Sequence, residues 1–179
     1  MTYQDILNFW FNEIDQELWF KKDDAFDQEL LQRFGTVHTQ AKNGELSQWR
    51  DCLEGCLAEI IVLDQFSRNL FRDKPEAFAY DGMALVLAQE AIRHFNVSDL
   101  PVEQQAFLYM PFMHSESLVI HEEALTLFAG EGLENNYAFE LKHKVIIERF
   151  GRYPHRNQVL GRESTPEELE FLAGPDSSF

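Results

Sequence analysis

Between Asp51 and Phe71 the chain is apolar almost all the way round a helix. Leu53, Cys56, Leu57, Ile60, Ile61, Val62, Leu63, Phe66 and Leu70 leave little polar face. Such a helix belongs at the centre of a molecule, with other elements wrapped around it. Its C-terminal half nevertheless carries Asp64, Gln65, Arg68 and Asn69. Charged and amide groups on a buried helix are costly unless they pair or serve a site. The same segment therefore fixes the fold class and marks a place to look for function.

The rest of the chain reads at helical period. Thr2 can cap a first helix carrying Ile6, Leu7, Phe9 and Trp10, and Asp23 or Asp24 opens a second. Phe26, Leu30, Phe34 and Val37 form a one-sided stripe on that second helix, which Asn43-Gly44 ends. Asp73-Lys74-Pro75-Glu76 resembles a capping box opening a fourth helix through Ile92. Pro101 starts a fifth, and Pro111 inside it predicts a kink or break, because proline cannot donate and clashes with the Phe107 carbonyl. A sixth runs from about Leu133 to Phe150 and stops at Gly151. Thr165-Pro166-Glu167-Glu168 is a capping box for a short last helix. No stretch alternates as a strand does. The expectation is an all-α fold of six to seven helices packed as antiparallel hairpins, one domain over residues 1–179.

The formal net charge of -16 argues against nucleic acid and anionic membrane as partners, since both need cationic surface. Its simplest consequence is solubility. Cys52 and Cys56, four apart on one helix face, read as small buried thiols rather than a disulfide or metal pair. The start lacks a secretory pattern, and the longest apolar run, Ile60–Leu63, is too short to span a bilayer. A cytoplasmic location with no cofactor and no metal is the expectation.

Three polar segments carry the candidate chemistry. In the first, Asp64 and Arg68 have the spacing of an ion pair, with Gln65 and Asn69 beside them and Arg72 continuing the stripe. In the second, His114-Ser115-Glu116 follows the proline break and could supply an acid/base pair. The next histidine, His121, is seven residues on. That spacing fails the zinc-peptidase pattern and, at about 10 Å along a helix, is too far for one ion. The third runs from Arg149 through Arg152, His155, Arg156 and Asn157 to Arg162, an arginine cluster in an acidic chain. Guanidinium forks suit carboxylates and phosphates, but they also suit the protein's own carboxylates, such as Asp64 and Glu116. Glu122-Glu123 and Glu167-Glu168 read as solvated faces or helix-start charges.

These segments, together with Phe9-Trp10-Phe11, Trp19-Phe20, Phe26-Asp27, Gly44-Glu45-Leu46, Tyr109-Met110-Pro111 and Leu160 to Thr165, resemble the bacterial DUF924 family over nearly the whole chain. Three positions depart from it: that family usually has Pro where this chain has Ser67, often an acidic residue at Ser117 and often Gln at His121. The resemblance implies a helical fold similar to tetratricopeptide-repeat proteins and brings no assigned activity. Folds of that kind often bind peptides or proteins on a concave face.

Three functional readings follow. The first is a binding module that holds a small anionic ligand or a peptide terminus. Its site residues are Asp64, Arg68, Asn69, Arg149, Arg152, His155, Arg156 and Asn157. The second is a hydrolase-type enzyme with His114 and Glu116 as catalytic acid/base. In the third the polar segments are structural, and a protein partner binds elsewhere, on an apolar patch.

Overall fold

A computed structural model describes residues 1–175 and Ser177, and every regular element among them is helical. The α-helices are α1 Tyr3–Asn8, α2 Asp24–Lys42, α3 Leu53–Ile61, α4 Ser67–Leu70, α5 Asp81–His94, α6 Val102–Met113, α7 Leu118–Phe128, α8 Glu134–Phe150 and α9 Pro166–Leu172. A π-helical turn, Val62–Phe66, joins α3 to α4 in one continuous rod, and a second, Phe9–Glu13, extends α1. Counting α3 and α4 as one rod gives eight helices among the described residues, close to the number the periodicity predicts.

The start signals act as their chemistry requires. Thr2 and Thr165 each close a full capping box, on Asp5 and Glu168, and the Asp23 carboxylate accepts from the Ala25 and Phe26 amides. Gly151 ends α8 in the left-handed region at φ 67°, where a side chain would be strained. Two expectations need correction. Asp73 opens no helix: it lies at φ 61°, only a 3-10 turn forms at Pro75–Ala77, and α5 begins at Asp81. Pro111 breaks nothing at its own position; α6 continues to Met113, and the chain leaves the helix at His114 before α7 begins. Helix α7 itself was not legible, because its buried positions include a histidine.

The chain forms two compact units. The first comprises Met1–Arg72 with Glu76–Pro111, and the second comprises Asp73–Pro75 with Phe112 onward. In the first unit α3 packs against both α1 and α5, and α2 packs against α4 and the adjoining π turn. Phe9 and Trp10 are fully buried among Phe26, Phe34, Phe66 and Phe107, with the Phe9 and Phe34 rings 4.5 Å apart. Each such side chain contributes on the order of 1.5–3 kcal/mol by burial. Residues Ser47–Asp51 form a 3-10 turn laid against the start of α3. The approach depends on Gly55, where a Cβ would lie 1.8 Å from the Trp49 carbonyl oxygen. Arg50 fixes the same turn through a bidentate pair, both contacts 2.7 Å, with the fully buried Glu59.

Both thiols are free. Cys56 is buried and burial pushes its thiol up to about 11, so it is inert at neutral pH. Cys52 is only half-buried, a correction to the pair of buried thiols expected. In the second unit α7 and α8 pack against each other, and Ile146, Ile147 and Tyr153 make a small core joined by Phe150 and Phe171. No helix among the described residues is long and apolar enough to cross a membrane.

Candidate functional site

The first polar segment lies in the first unit, on the π turn and α4. A π turn is wider than an α turn and is frequently found at functional positions. Here it buries five consecutive side chains, Val62 to Phe66, so Asp64 and Gln65 enter the interior with their apolar neighbours. Arg68 neutralises that burial. Its guanidinium lies 3.0 Å from an Asp64 carboxylate oxygen, donates to the Asp64 carbonyl at 2.7 Å and forms a two-pronged pair with Asp81 at 3.0 and 3.1 Å. Gln65 donates to Asp64 at 2.6 Å and reaches the Met110 sulfur. Asn69 donates to Asp27 at 2.8 Å, and Arg72 grips the same carboxylate at 2.8 and 2.9 Å.

Ser67 adds a bond that proline could not make. Its hydroxyl donates to the Leu63 carbonyl at 2.6 Å and accepts from His38 Nε2 at 2.8 Å. Burial, with Lys42 adding to it, pushes His38 down to about 4, so the ring is neutral at physiological pH.

The second and third polar segments meet within the second unit. Glu116 receives a bidentate grip from Arg162 at 2.7 and 2.9 Å and the Tyr153 backbone N–H at 2.7 Å. Burial opposes its ionisation, but Arg162, that N–H and the nearby Arg156 outweigh it and hold the carboxyl below its ordinary value. Arg156 is buried; it donates to the His114 carbonyl at 3.0 Å and lies 4.8 Å over the Tyr153 ring. Arg152 clamps Glu168 with bonds of 2.7 and 2.8 Å and also donates to the Glu163 carbonyl. With the Thr165 amide and Asn157 on the same carboxylate, Arg152 brings Glu168 down to about 2. Glu168 is thus a buried anchor rather than the solvated charge its sequence position suggests. Asn157 further bonds Ser164 and accepts from Arg162. The His155 ring lies tilted beside that of Tyr153, ring centres 5.5 Å apart.

Arg149 is the exception. It is exposed at the end of α8, with its guanidinium 4.7 Å over the Phe150 ring. Among the described residues it makes no ion pair. It shares a helix face with Ala138, Leu141, Lys142 and Val145, all exposed and spaced at i, i+3, i+4, i+7 and i+11. Leu141 and Val145 are 43% and 59% exposed, and the buried residues of α8, Glu140, His143, Ile146 and Ile147, lie on the other side.

Sequence reasoning missed the deepest polar cluster. His121, fully buried on α7, bonds the fully buried Glu140 of α8 through Nδ1 at 2.6 Å. Its Nε2 lies 2.8 Å from the Ser115 carbonyl oxygen and 3.2 Å from the Tyr153 hydroxyl, which donates to the Met113 carbonyl. His143, beside Tyr153, donates Nδ1–H to the Phe139 carbonyl. Burial pushes His143 down to about 3, with His114, His121 and His155 adding to it. A histidine and a glutamate at the core positions of facing helices were the available signal, with no spacing rule to pair them. Asp27, Asp81 and Tyr153 were missed for the same reason: each is a single residue paired across the fold. Among the described residues no group of three or more His, Cys, Asp or Glu is arranged to hold a metal ion. A shallow groove of about 360 Å³ in the first unit is lined by Tyr3, Gln4, Leu7, Asn8, Asn12, Glu54 and Gln104, none of them a sequence-predicted site residue.

The described residues make an all-α protein with paired polar groups inside it, and the comparisons give its family. Residues 6–176 match the family described as bacterial protein of unknown function (DUF924), and the chain belongs to that family. A solved structure, that of the protein of unknown function ATU0120 from Agrobacterium tumefaciens, is 38% identical, with a TM-score of 0.88 over 95% of this chain and 96% of that one. No curated protein matches the chain.

Proposed function

We propose that the protein is a non-catalytic helical docking module. In this reading its polar segments hold the scaffold, and a partner binds the outer face of α8. One contrast carries the proposal. Arg68, Arg152 and Arg162 each grip a carboxylate of the chain itself and Arg156 is buried over Tyr153 with a bond to the His114 carbonyl, whereas Arg149 stands exposed beside an apolar stripe. A guanidinium already gripping a carboxylate bidentately offers little to an incoming anion. Glu116, held ionised by Arg162, is poorly suited to donate a proton, which weighs against an acid/base pair with His114. The partner best matched to Leu141, Val145 and Arg149 is an amphipathic helix with apolar and acidic side chains on one face. The anionic contact expected of the arginine cluster is then kept at Arg149 alone.

The experiment is an NMR titration of the ¹⁵N-labelled protein with a synthetic amphipathic helix of Leu and Glu. Shifts centred on Leu141, Val145 and Arg149, abolished by Arg149→Glu, are the expected result. Shifts centred on His114, Arg152 and Arg156 would instead favour an anion site in the polar segments.

A further inference from the structure

The hydrogen bonds around His121 determine how many protons it shares with Glu140. The Ser115 carbonyl oxygen can only accept, so His121 Nε2, at 2.8 Å, must carry a hydrogen. The Tyr153 hydroxyl gives its proton to the Met113 carbonyl, so it too faces Nε2 as an acceptor. The other nitrogen, Nδ1, lies 2.6 Å from a Glu140 carboxyl oxygen, a distance that needs a proton between them. Either the ring is doubly protonated beside a carboxylate, or Glu140 is a neutral acid donating to Nδ1. Both descriptions contain one proton more than a neutral histidine and a free carboxylate. The second oxygen of Glu140 is buried with no hydrogen-bond partner, which favours the neutral acid. Burial pushes the Glu140 carboxyl up, in the same direction.

We propose that His121 and Glu140 hold a single shared proton that the unfolded chain does not carry at neutral pH, and that this proton latches the His114–Ser117 segment in place. Removing it leaves a buried anion facing a bare ring nitrogen. Keeping the bond to Glu140 by moving the remaining ring hydrogen to Nδ1 would abandon the Ser115 carbonyl. Adding a second proton puts Nδ1–H against a carboxylic acid O–H and breaks the shared bond. The latch therefore closes at one proton and opens on either side. The charged and titratable groups around it are Lys144 beside Glu140, His143, His114 and His155 near the rings, Arg156 over the Tyr153 ring and Glu116 on the Tyr153 backbone N–H. The cations Lys144 and Arg156 disfavour each added proton, so they move the range of the one-proton state to lower pH, against the burial that raises its upper limit.

Linkage gives the sign. Well above pH 6.5 the unfolded histidine is neutral and the unfolded glutamate is ionised, so the folded pair holds one proton more than they do. Folding then takes up a proton, and the folding equilibrium constant falls tenfold for each pH unit that the pH rises. The test is urea denaturation from pH 7.0 to 8.5 on wild-type and Glu140→Gln protein. Glutamine can donate to Nδ1 as the neutral acid does, without titrating. The wild-type constant should lose about tenfold per pH unit relative to Glu140→Gln across that range. Parallel pH profiles would overturn the proposal. Should Glu140→Gln fail to fold, the wild-type imidazole ¹⁵N shifts at pH 8 decide. A protonated Nε2 supports the latch, and a bare Nε2 with Nδ1–H refutes it.

Discussion

The two units satisfy buried polar groups in different ways. In the first, each buried or half-buried acid of the polar segments and of the Arg50 turn is met by a guanidinium: Asp64 and Asp81 by Arg68, Asp27 by Arg72, Glu59 by Arg50. In the second, two acids are met in that manner, Glu116 by Arg162 and Glu168 by Arg152, but the deepest one, Glu140, is met by a histidine. A guanidinium stays charged over the whole accessible pH range. A carboxyl–imidazole pair depends on one titrating proton. The lesson is that similar-looking polar motifs can give one unit's acids a partner that stays charged at any accessible pH and leave the other unit's deepest acid on a partner that titrates.

The largest effects should come from breaking the first unit's arrangement. Gly55→Ala drives a methyl into the Trp49 carbonyl, and backbone must move to admit it. A loss of about 3 kcal/mol or more in denaturant unfolding is expected. Asp27→Ala leaves Arg72 and Asn69 without their shared acceptor, and about 3 kcal/mol should be lost at any pH between 5 and 8. In the second unit, Arg162→Ala strips Glu116 of its partner and Asn157 of a donor. Both members of that pair are partly exposed, so the expected cost is lower, about 2 kcal/mol.

Acid reaches both units through a buried histidine in each. His38 and His143 have folded values of about 4 and about 3, below the unfolded value, so the folded protein binds fewer protons than the unfolded chain. Stability from these rings is complete above about pH 6.5 and drains as pH falls toward those folded values. Glu168, at about 2, adds a second loss that begins near pH 4.5. His143→Gln should move the acid-unfolding midpoint down by about half a pH unit, measured by circular dichroism. An unmoved midpoint would remove His143 from the account.

Much of the fold was legible. The boxes at Thr2 and Thr165, the Asp23 cap, the Gly151 stop and the near all-round apolar rod are local patterns, and local patterns survive folding. The π turns were not legible, because a widened turn leaves no periodic trace once every residue in it is buried. Helix α7 was hidden by His121 at a core position, and the Asp73 box failed because Asp73 took a left-handed backbone. The Asp64–Arg68 pair could be read from its spacing alone. The partners Asp27, Asp81, Glu140 and Tyr153 could not, since each reaches its contact across the fold rather than along a helix.

The central claim is that the paired arginines hold the scaffold while Arg149 does not. Urea unfolding of Arg162→Ala and Arg149→Ala, side by side with wild type at pH 7, tests it most directly. The account predicts a loss of about 2 kcal/mol for the first and a change within about 0.5 kcal/mol for the second. Equal stabilities for Arg162→Ala and wild type would contradict it and return the arginine cluster to candidacy as a ligand site.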